Sequence, residues 1–311
     1  MPKISVVIPL YNKENFIKET LDSVLQQTFT DFEIIIINDG STDNSFKIIS
    51  QFVDDRITLY NQENKGVSKT RNVGIEYAKS DLIAFLDADD YWYPNHLEEL
   101  IRLHEDFPNC GIYGSRYFMK ISSNNILKTS YLPAVSNDYR GVLPDYFLAS
   151  LRSRVGLTSA LMIPKRIVLQ FACFNTSLNG HEDLELFTKI AIEHQVAVTN
   201  SYTVEYNFAV ENQLSKIQFL QNRIINLDQF LAIEKTKPNL KKFIDLYRLE
   251  YALQYRIIGA YDKSKHLLNH ISTKTPIKAR ILFNLPPFLL RFLLKTKRYL
   301  RKKGFDFTVY H

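Results

Sequence analysis

Short acid-rich segments follow the apolar runs in the first third of the chain: Asn38-Asp39-Gly40-Ser41-Thr42-Asp43 after one run and Asp87-Ala88-Asp89-Asp90 after another. Pro9-Leu10-Tyr11-Asn12 closes the first run in the same way. Carboxylates grouped without Cys or His suit a hard, oxygen-preferring cation such as Mg²⁺ or Mn²⁺, which bridges protein carboxylates and diphosphate oxygens. A leaving diphosphate develops negative charge that such a cation stabilises directly, so the expected ligand is a metal diphosphate. Competing devices are missing from the sequence. It has no GxxxxGK[ST] loop, its first apolar run leads into Tyr11-Asn12-Lys13 and not GxGxxG, and neither GxSxG nor HExxH occurs.

The elements that must hold these residues are legible as periodicity. Apolar, β-branched runs at Ile4 to Leu10, Phe32 to Ile37, Ile57 to Tyr60 and Leu82 to Leu86 alternate with helical spacing at Phe16, Ile17, Leu21, Val24 and Leu25, and again at Phe46, Ile49, Phe52 and Val53. This predicts an α/β fold, a Rossmann-like, mostly parallel sheet flanked by helices, which binds ligands at the carboxyl ends of its strands. A helix is expected from Asn95 to before Pro108. Strands follow at Gly111 to Met119 and Ser159 to Ile163, a partly helical stretch between them around Asp145 to Arg152, a helix at Glu182 to His194, and two strands at Val196 to Thr199 and Val204 to Phe208. Beyond about Gln213 the pattern turns helical: Leu220, Ile224, Leu227 and Leu231 stack at helical steps, and a second helix carrying Leu246, Tyr251, Leu253 and Ile257 ends near Gly259. The expected division is a catalytic domain over 1–212, with a nucleotide-binding half to about 110 and an acceptor half over 111–212, then a helical region over 213–311.

Five segments carry a resemblance: SVVIPLYN (Ser5 to Asn12), NDGSTDNS (Asn38 to Ser45), NKGVSKTRNVGI (Asn64 to Ile75), LDADDYW (Leu86 to Trp92) and GHEDLELF (Gly180 to Phe187). In order and spacing the chain resembles the inverting family 2 glycosyltransferases of the GT-A fold over roughly its first two-thirds. The resemblance implies that Pro9, Tyr11 and Asn12 form a nucleotide-contacting loop, that Asp39 accepts a hydrogen bond from the base, commonly uracil, and that Arg71 lies near the diphosphate. It makes Asp89 the metal ligand of the DxD element, with Asp87 supporting the ribose or the metal's water shell. Asp183 matches the general base, which takes a proton from the acceptor hydroxyl in a single inverting displacement. Glu182 is the alternative base, because adjacent helix positions point in different directions.

Blander readings stand beside these. Arg71 could snorkel from a surface helix, the Glu182-Asp183 pair could serve only the positive end of a helix dipole, and Trp92, Tyr91 and Tyr93 divide between sugar stacking and structural burial. His104 and His181 read as structural or surface residues. A non-catalytic nucleotide-sugar-binding scaffold or regulator would be expected to lose the base or the metal ligand, and a nucleotidyltransferase would carry a glycine-rich, basic N-terminal loop. Neither signature is present.

Charge is unevenly spread. The chain of 311 residues carries a formal +6, yet after Asp262 there are twelve Lys and Arg against the single acid Asp306. The catalytic region is therefore net acidic, which argues against nucleic acid as a partner and for an anionic surface meeting the C-terminus. From Lys278 to Lys303, Ile281, Leu282, Phe283, Leu285, Phe288, Leu289, Leu290, Phe292, Leu293 and Leu294 are interleaved with Arg291, Lys295, Lys297, Arg298, Arg301, Lys302 and Lys303. That is the composition of a helix lying in a membrane interface, the alternative being a helix packed on the catalytic domain. No secretory signal or spanning segment is legible, and Cys110 and Cys173 suggest no disulfide framework, so the expected setting is cytoplasmic, at the inner face of the cell membrane. The expected partners are a nucleotide sugar, UDP-linked, and a glycan or lipid-linked acceptor. QxxRW, the mark of processive synthases in this family, is absent, which points to transfer of one sugar at a time.

Overall fold

A computed structural model of the chain describes residues 1–122, 124–210, 224–271 and 277–302. The expected boundary between 212 and 213 lies outside these residues, as do Gln213, Leu220 and Lys303. Two compact units divide the chain, the first drawn mainly from residues 1–120 and 127–210 and the second mainly from 226 onward.

In the first unit, β1 (Ile4–Leu10), β2 (Phe32–Asp39), β3 (Ile57–Gln62) and β4 (Leu82–Phe85) are the four strands expected, all parallel, in the order β3-β2-β1-β4. All eight residues of β2 are buried, which is why Ile34 to Ile37 form an unbroken apolar run and not an alternation. Helix α1 (Ile17–Leu25) buries Ile17, Leu21 and Val24 against this sheet, and α2 (Ser45–Ile49) contributes Ile49 to the same core. Between β3 and β4 lies α3 (Val67–Tyr77), which the apolar pattern did not reveal. It approaches β1 so closely that a Cβ at Gly74 would sit 2.3 Å from Val7 Cγ1.

Chain order after β4 is β5 (Tyr91–Trp92), α4 (His96–Asp106), β6 (Ile112–Ser122), β7 (Asn125–Lys128), β8 (Gly141–Val142), α5 (Tyr146–Ala149), β9 (Leu161–Pro164), α6 (Lys165–Gln170), α7 (Glu182–Glu193) and β10 (Val196–Tyr206). The sheet continues from β4 through β9, β6 and β10 to β5. Strand β9 runs antiparallel to both β4 and β6, so the sheet is parallel on one side and mixed on the other. Two strands were expected where β10 is one. Exposed Asn200 breaks the apolar pattern, but the ladder with β6 resumes after register shifts between Val198 and Val204.

In the second unit a 3-10 turn at Leu227–Phe230 leads into the one-turn helix α8 (Leu231–Glu234), where the leucine spacing predicted a longer helix. The Asn226 side chain accepts the Asp228 N–H and so starts the tighter turn. Helix α9 (Pro238–Ile257) opens on proline and stops just before Gly259, whose φ of +85° ends it where expected. It buries Leu240, Phe243, Ile244 and Ala252 and also Arg248, which is paired with Glu234 at 2.7 Å and Asp245 at 3.0 Å. Then come α10 (Tyr261–Asn269), α11 (Ile277–Asn284) and α12 (Pro287–Lys302), so the basic tail is two helices broken at Pro286-Pro287 and not one. Among the described residues no helix is long and apolar enough to cross a membrane.

Candidate active site

The loops following β1 and β2 are zipped together by side chains at the carboxyl edge of the sheet. Asn12, held at φ +51°, donates its N–H to Ser41 Oγ at 3.1 Å, and its Oδ1 accepts the Thr42 N–H at 2.8 Å. Lys13 N–H donates to Ser45 Oγ at 2.7 Å, and Glu14 N–H to Asp43 at 3.0 Å. Polar residues in NDGSTDNS thus fix the loop that presents Pro9, half-buried, and Tyr11, exposed.

Asp39, at the end of β2, is 2% exposed. Its Oδ1 accepts from Gln62 Nε2 at 2.6 Å and Lys65 N–H at 2.9 Å, and its Oδ2 from Gly66 N–H at 2.9 Å. The carboxylate therefore ties β2 to the start of α3. Gly40 is required beside it: φ is +70°, and a Cβ there would lie 2.9 Å from Asn64 N.

Arg71, on α3, is 4% exposed and does not snorkel. Its guanidinium donates to Asp87 at 2.6 Å and to Glu182 at 2.7 Å, and it lies 5.2 Å above the Phe174 ring. Two carboxylates hold it firmly protonated against the opposing effect of burial. Arg71 thereby joins the end of β4 to the start of α7, with Glu182 lying 111 positions after it in sequence.

Asp89 is buried and accepts a hydrogen bond from Lys13 Nζ at 2.6 Å. Burial raises its pKa although Lys13 opposes that. Asp90 faces elsewhere: Ser159 Oγ donates to it at 2.5 Å and Asn207 N–H at 2.9 Å, and burial together with the charges of Asp89 and Asp87 pushes its pKa well above the carboxylate range. Ser159 also accepts the Asp87 N–H at 3.1 Å, so Asp90 holds the turn while Asp87 and Asp89 remain the candidate ligands. Trp92 is fully buried with its indole N–H on the Ser159 carbonyl at 2.6 Å, which makes its role structural.

At the start of α7, His181 is held in the left-handed region at φ +65°, a strained position for a non-glycine residue. Burial depresses its imidazole to about 4. Glu182 is buried against Arg71, and burial followed by the neighbouring Asp183 charge raises its pKa. Asp183 is less enclosed and pairs with Arg154 Nη1 at 3.0 Å. Burial alone would raise its pKa, but Arg154 and Arg71 outweigh burial and lower it.

The glycosyl transferase family 2 description matches residues 5–154, the segment that builds this edge from β1 through the DxD turn. Over this segment of 150 residues, just under half of its length, the chain is similar to the family 2 glycosyltransferases. Among relatives, it is 28% identical over 275 residues to WfgD of Escherichia coli, a UDP-Glc:α-D-GlcNAc-diphosphoundecaprenol β-1,3-glucosyltransferase, covering 87% of this chain and 98% of that protein. A glycosyltransferase of Rickettsia felis is 29% identical over 221 residues, 70% of this chain, but the chain spans only 36% of that relative's length. The solved structure of Staphylococcus aureus TarS residues 1–349 in complex with UDP-GlcNAc superposes with a TM-score of 0.59 at 18% identity, covering 90% of this chain and 78% of that one, and shares the GT-A fold.

Family 2 glycosyltransferases generally use a divalent metal. The residues here fit one. Asp89 already holds a cation, the Lys13 ammonium, and Asp87 stands two positions away with only carboxylate oxygens to offer. An ion held by these two carboxylates would leave the rest of its shell to diphosphate oxygens and water.

The candidate site thus gathers Arg71, Asp87, Glu182 and Asp183 into one linked network. Asp39 is connected to it through α3, and Asp89 through the turn it shares with Asp87. Lys13, Gln62, Arg154 and Ser159 were missed. Lys13 directly follows the quoted segment SVVIPLYN, so adjacency was its one signal, while Arg154 lies where recognisable motifs are thinnest.

Proposed function

We propose that the chain transfers a hexose-type sugar from a UDP-sugar to a hydroxyl of a glycan or lipid-linked glycan, with inversion at the anomeric carbon. The observation that carries this reading is the Arg71 bridge, which places the DxD turn beside the helix start bearing Asp183. The relatives support uridine donors and prenyl-diphosphate acceptors, since WfgD is described as using both and TarS was solved with UDP-GlcNAc.

Each side chain has a task in this reading. A carboxylate offers about four lone-pair sites, and Asp39 spends three on Gln62, Lys65 and Gly66, leaving one on Oδ2 for a base N–H. Arg71, permanently charged and bound on both sides, fixes Asp87 and Glu182 and in this reading stands near the diphosphate, its charge partly balanced by the two carboxylates. A Mg²⁺ or Mn²⁺ ion held by Asp89 and Asp87 would stabilise negative charge on the departing diphosphate. Asp183, kept ionised by Arg154 and Arg71, accepts the acceptor's hydroxyl proton as that oxygen bonds to the anomeric carbon. The anomeric bond to phosphate breaks on the opposite face, so an α-linked donor yields a β-linked product. Glu182, already committed to Arg71, orients the arginine and is the weaker candidate for the base.

The acceptor brings the C-terminal helices into the reading. Along α12, Phe288, Phe292 and Tyr299 share one exposed face while Leu290 is buried on the other, and Lys295 lies between them on the outer side. An aromatic, basic face of this kind seats in an anionic lipid interface, where a lipid-linked acceptor would be met.

The test is a panel of nucleoside diphosphate sugars with Mn²⁺ and a prenyl-diphosphate-linked GlcNAc acceptor, followed by nucleotide release and product mass. One UDP-hexose should be consumed, and Asp89→Ala should abolish turnover. Equal turnover by Asp89→Ala, or no donor consumed, would reject the reading.

A further inference from the structure

In the second unit, far along the sequence from the DxD element, three side chains of a different donor chemistry converge. His266 and His270 stand four residues apart along α10 and its C-cap, the spacing that puts two imidazoles on one helix face. Asp228, in the 3-10 turn, reaches them: its Oδ2 lies 2.7 Å from His266 Nε2, and the two imidazole rings are 4.9 Å apart, edge to face. Among the described residues this is the group of three potential ligands whose donor atoms all lie within 4.8 Å of one another.

A second observation points the same way. Asp228 Oδ1 is shielded from solvent and has no hydrogen-bond partner among the described residues. A buried carboxylate oxygen with nothing to accept from is costly unless a cation takes that place. The backbone around the site is already fixed. Asn226 accepts the Asp228 N–H at 3.0 Å, and Lys241 Nζ donates to the His270 carbonyl at 2.6 Å. The Lys241 charge is itself neutralised by Asp245 and by Glu234 at 3.6 Å, so it does not set an uncompensated positive charge against a second cation.

We propose that Asp228, His266 and His270 form a binding site for a transition-metal dication of the Zn²⁺ class, distinct from the oxygen-only pair Asp87 and Asp89. Two imidazole nitrogens and one carboxylate oxygen are the donor set that borderline cations prefer, whereas Mg²⁺ and Mn²⁺ favour oxygen. Tetrahedral coordination at Zn–N of about 2.0–2.1 Å sets neighbouring donors roughly 3.4 Å apart, inside the 4.8 Å within which the donors already lie. The ion cross-links the turn that opens this unit to α10, and its fourth position stays open to water. The bond replaced is the Asp228–His266 contact, so the ion strengthens a link that the fold already makes.

The experiment uses the full chain, stripped of metal by chelation, with Asp89→Asn as background so that the acidic pair does not contribute. Zn²⁺ is titrated by calorimetry, Co²⁺ is followed by visible absorption, and melting is recorded with and without Zn²⁺. One equivalent should bind, Co²⁺ should show the intense bands of a tetrahedral site, and Zn²⁺ should raise the melting temperature. His266→Gln with His270→Gln should lose more affinity than the roughly 10–100-fold typical of removing an outer-shell partner, and should lose the Zn²⁺-dependent rise in melting. Asp228→Asn alone should weaken binding and shift the cobalt spectrum. His266 is exposed and His270 half-buried, and circular dichroism of the double variant shows whether it folds. Zn²⁺ binding unchanged in the folded double variant, or octahedral-type cobalt absorption, overturns the site. Should the double variant fail to fold, Asp228→Asn with an unaltered cobalt spectrum overturns it equally.

Discussion

At the scale of single residues, the ionisation of Asp183 is set by a contest that a substitution can reverse. Burial raises its pKa, and Arg154 and Arg71 overcome burial, so the net direction is down. As the proposed base, Asp183 would stay ionised until the pH falls through its lowered pKa, so the acidic limb of the kcat/KM profile should lie below the ordinary aspartate value of about 3.9. Replacing Arg154 with Ala removes the larger of the opposing charges and leaves burial to dominate. The acidic limb should then move to higher pH, and a profile that does not shift would show that Arg154 does not govern the base. Asp183→Asn should lower kcat by about 10²–10⁴ while leaving UDP affinity, measured by calorimetry, within a few-fold, because it deletes a proton acceptor and keeps the shape. The stability attached to Asp183 follows the same sign: it is present above the unfolded pKa and lost as pH falls through the lowered folded one. The acidic residues of this site were legible because their types and spacing are local. Arg71 was legible through its motif but its pairing was not, and Lys13 was missed: Lys13 meets Asp89 from 76 positions away and Arg71 meets Glu182 from 111, distances over which no periodicity carries information.

At the scale of elements, the four parallel strands were legible from β-branched runs, and α4 and α7 from their apolar spacing and acidic starts. Helix α3 was not, and its packing explains why. The residues it buries are Ser68, Thr70, Arg71, Gly74 and Ile75, of which only Ile75 is a large apolar side chain. Its inner face is made of polar groups serving the site and of a glycine that admits the backbone to β1, so the hydrophobic signature of an amphipathic helix is missing. Gly74→Ala tests this directly. The added methyl would collide with Val7 Cγ1, and such overpacking costs about 1–3 kcal/mol, read as a lower midpoint in urea at unchanged slope. Because α3 also carries Arg71 and begins where Asp39 holds Lys65 and Gly66, the same substitution should weaken UDP binding by more than the stability loss alone predicts. Unchanged nucleotide affinity in the folded variant would separate α3 packing from donor binding.

At the scale of the whole molecule, the division of charge between catalytic region and tail becomes a statement about where the reaction takes place. A net acidic catalytic region repels an anionic bilayer, while ten Lys and Arg follow Asn269 with one Asp among them. Each basic residue near an anionic leaflet contributes about 1 kcal/mol, so the tail can overcome that repulsion only at low or physiological ionic strength. On the proposed reading the outward side chains on α12 would add apolar anchorage, Phe288 being 72% and Phe292 63% exposed, and Ile277 and Ile281 on α11 are exposed too. Deleting residues after Asn269 should therefore release the protein from vesicles containing phosphatidylserine, and raised salt should release the full chain in the same way. Phe288→Ser with Phe292→Ser should weaken binding while preserving its salt dependence, because the charge attraction remains after the apolar insertion is lost. Transfer to a short, water-soluble acceptor should be unaffected by those two changes, and transfer to a prenyl-linked acceptor in vesicles should fall with the bound fraction. Equal vesicle binding by the truncated and full chains would remove the tail from the reaction, and a lipid-linked acceptor would then have to be drawn out of the bilayer by the catalytic region itself.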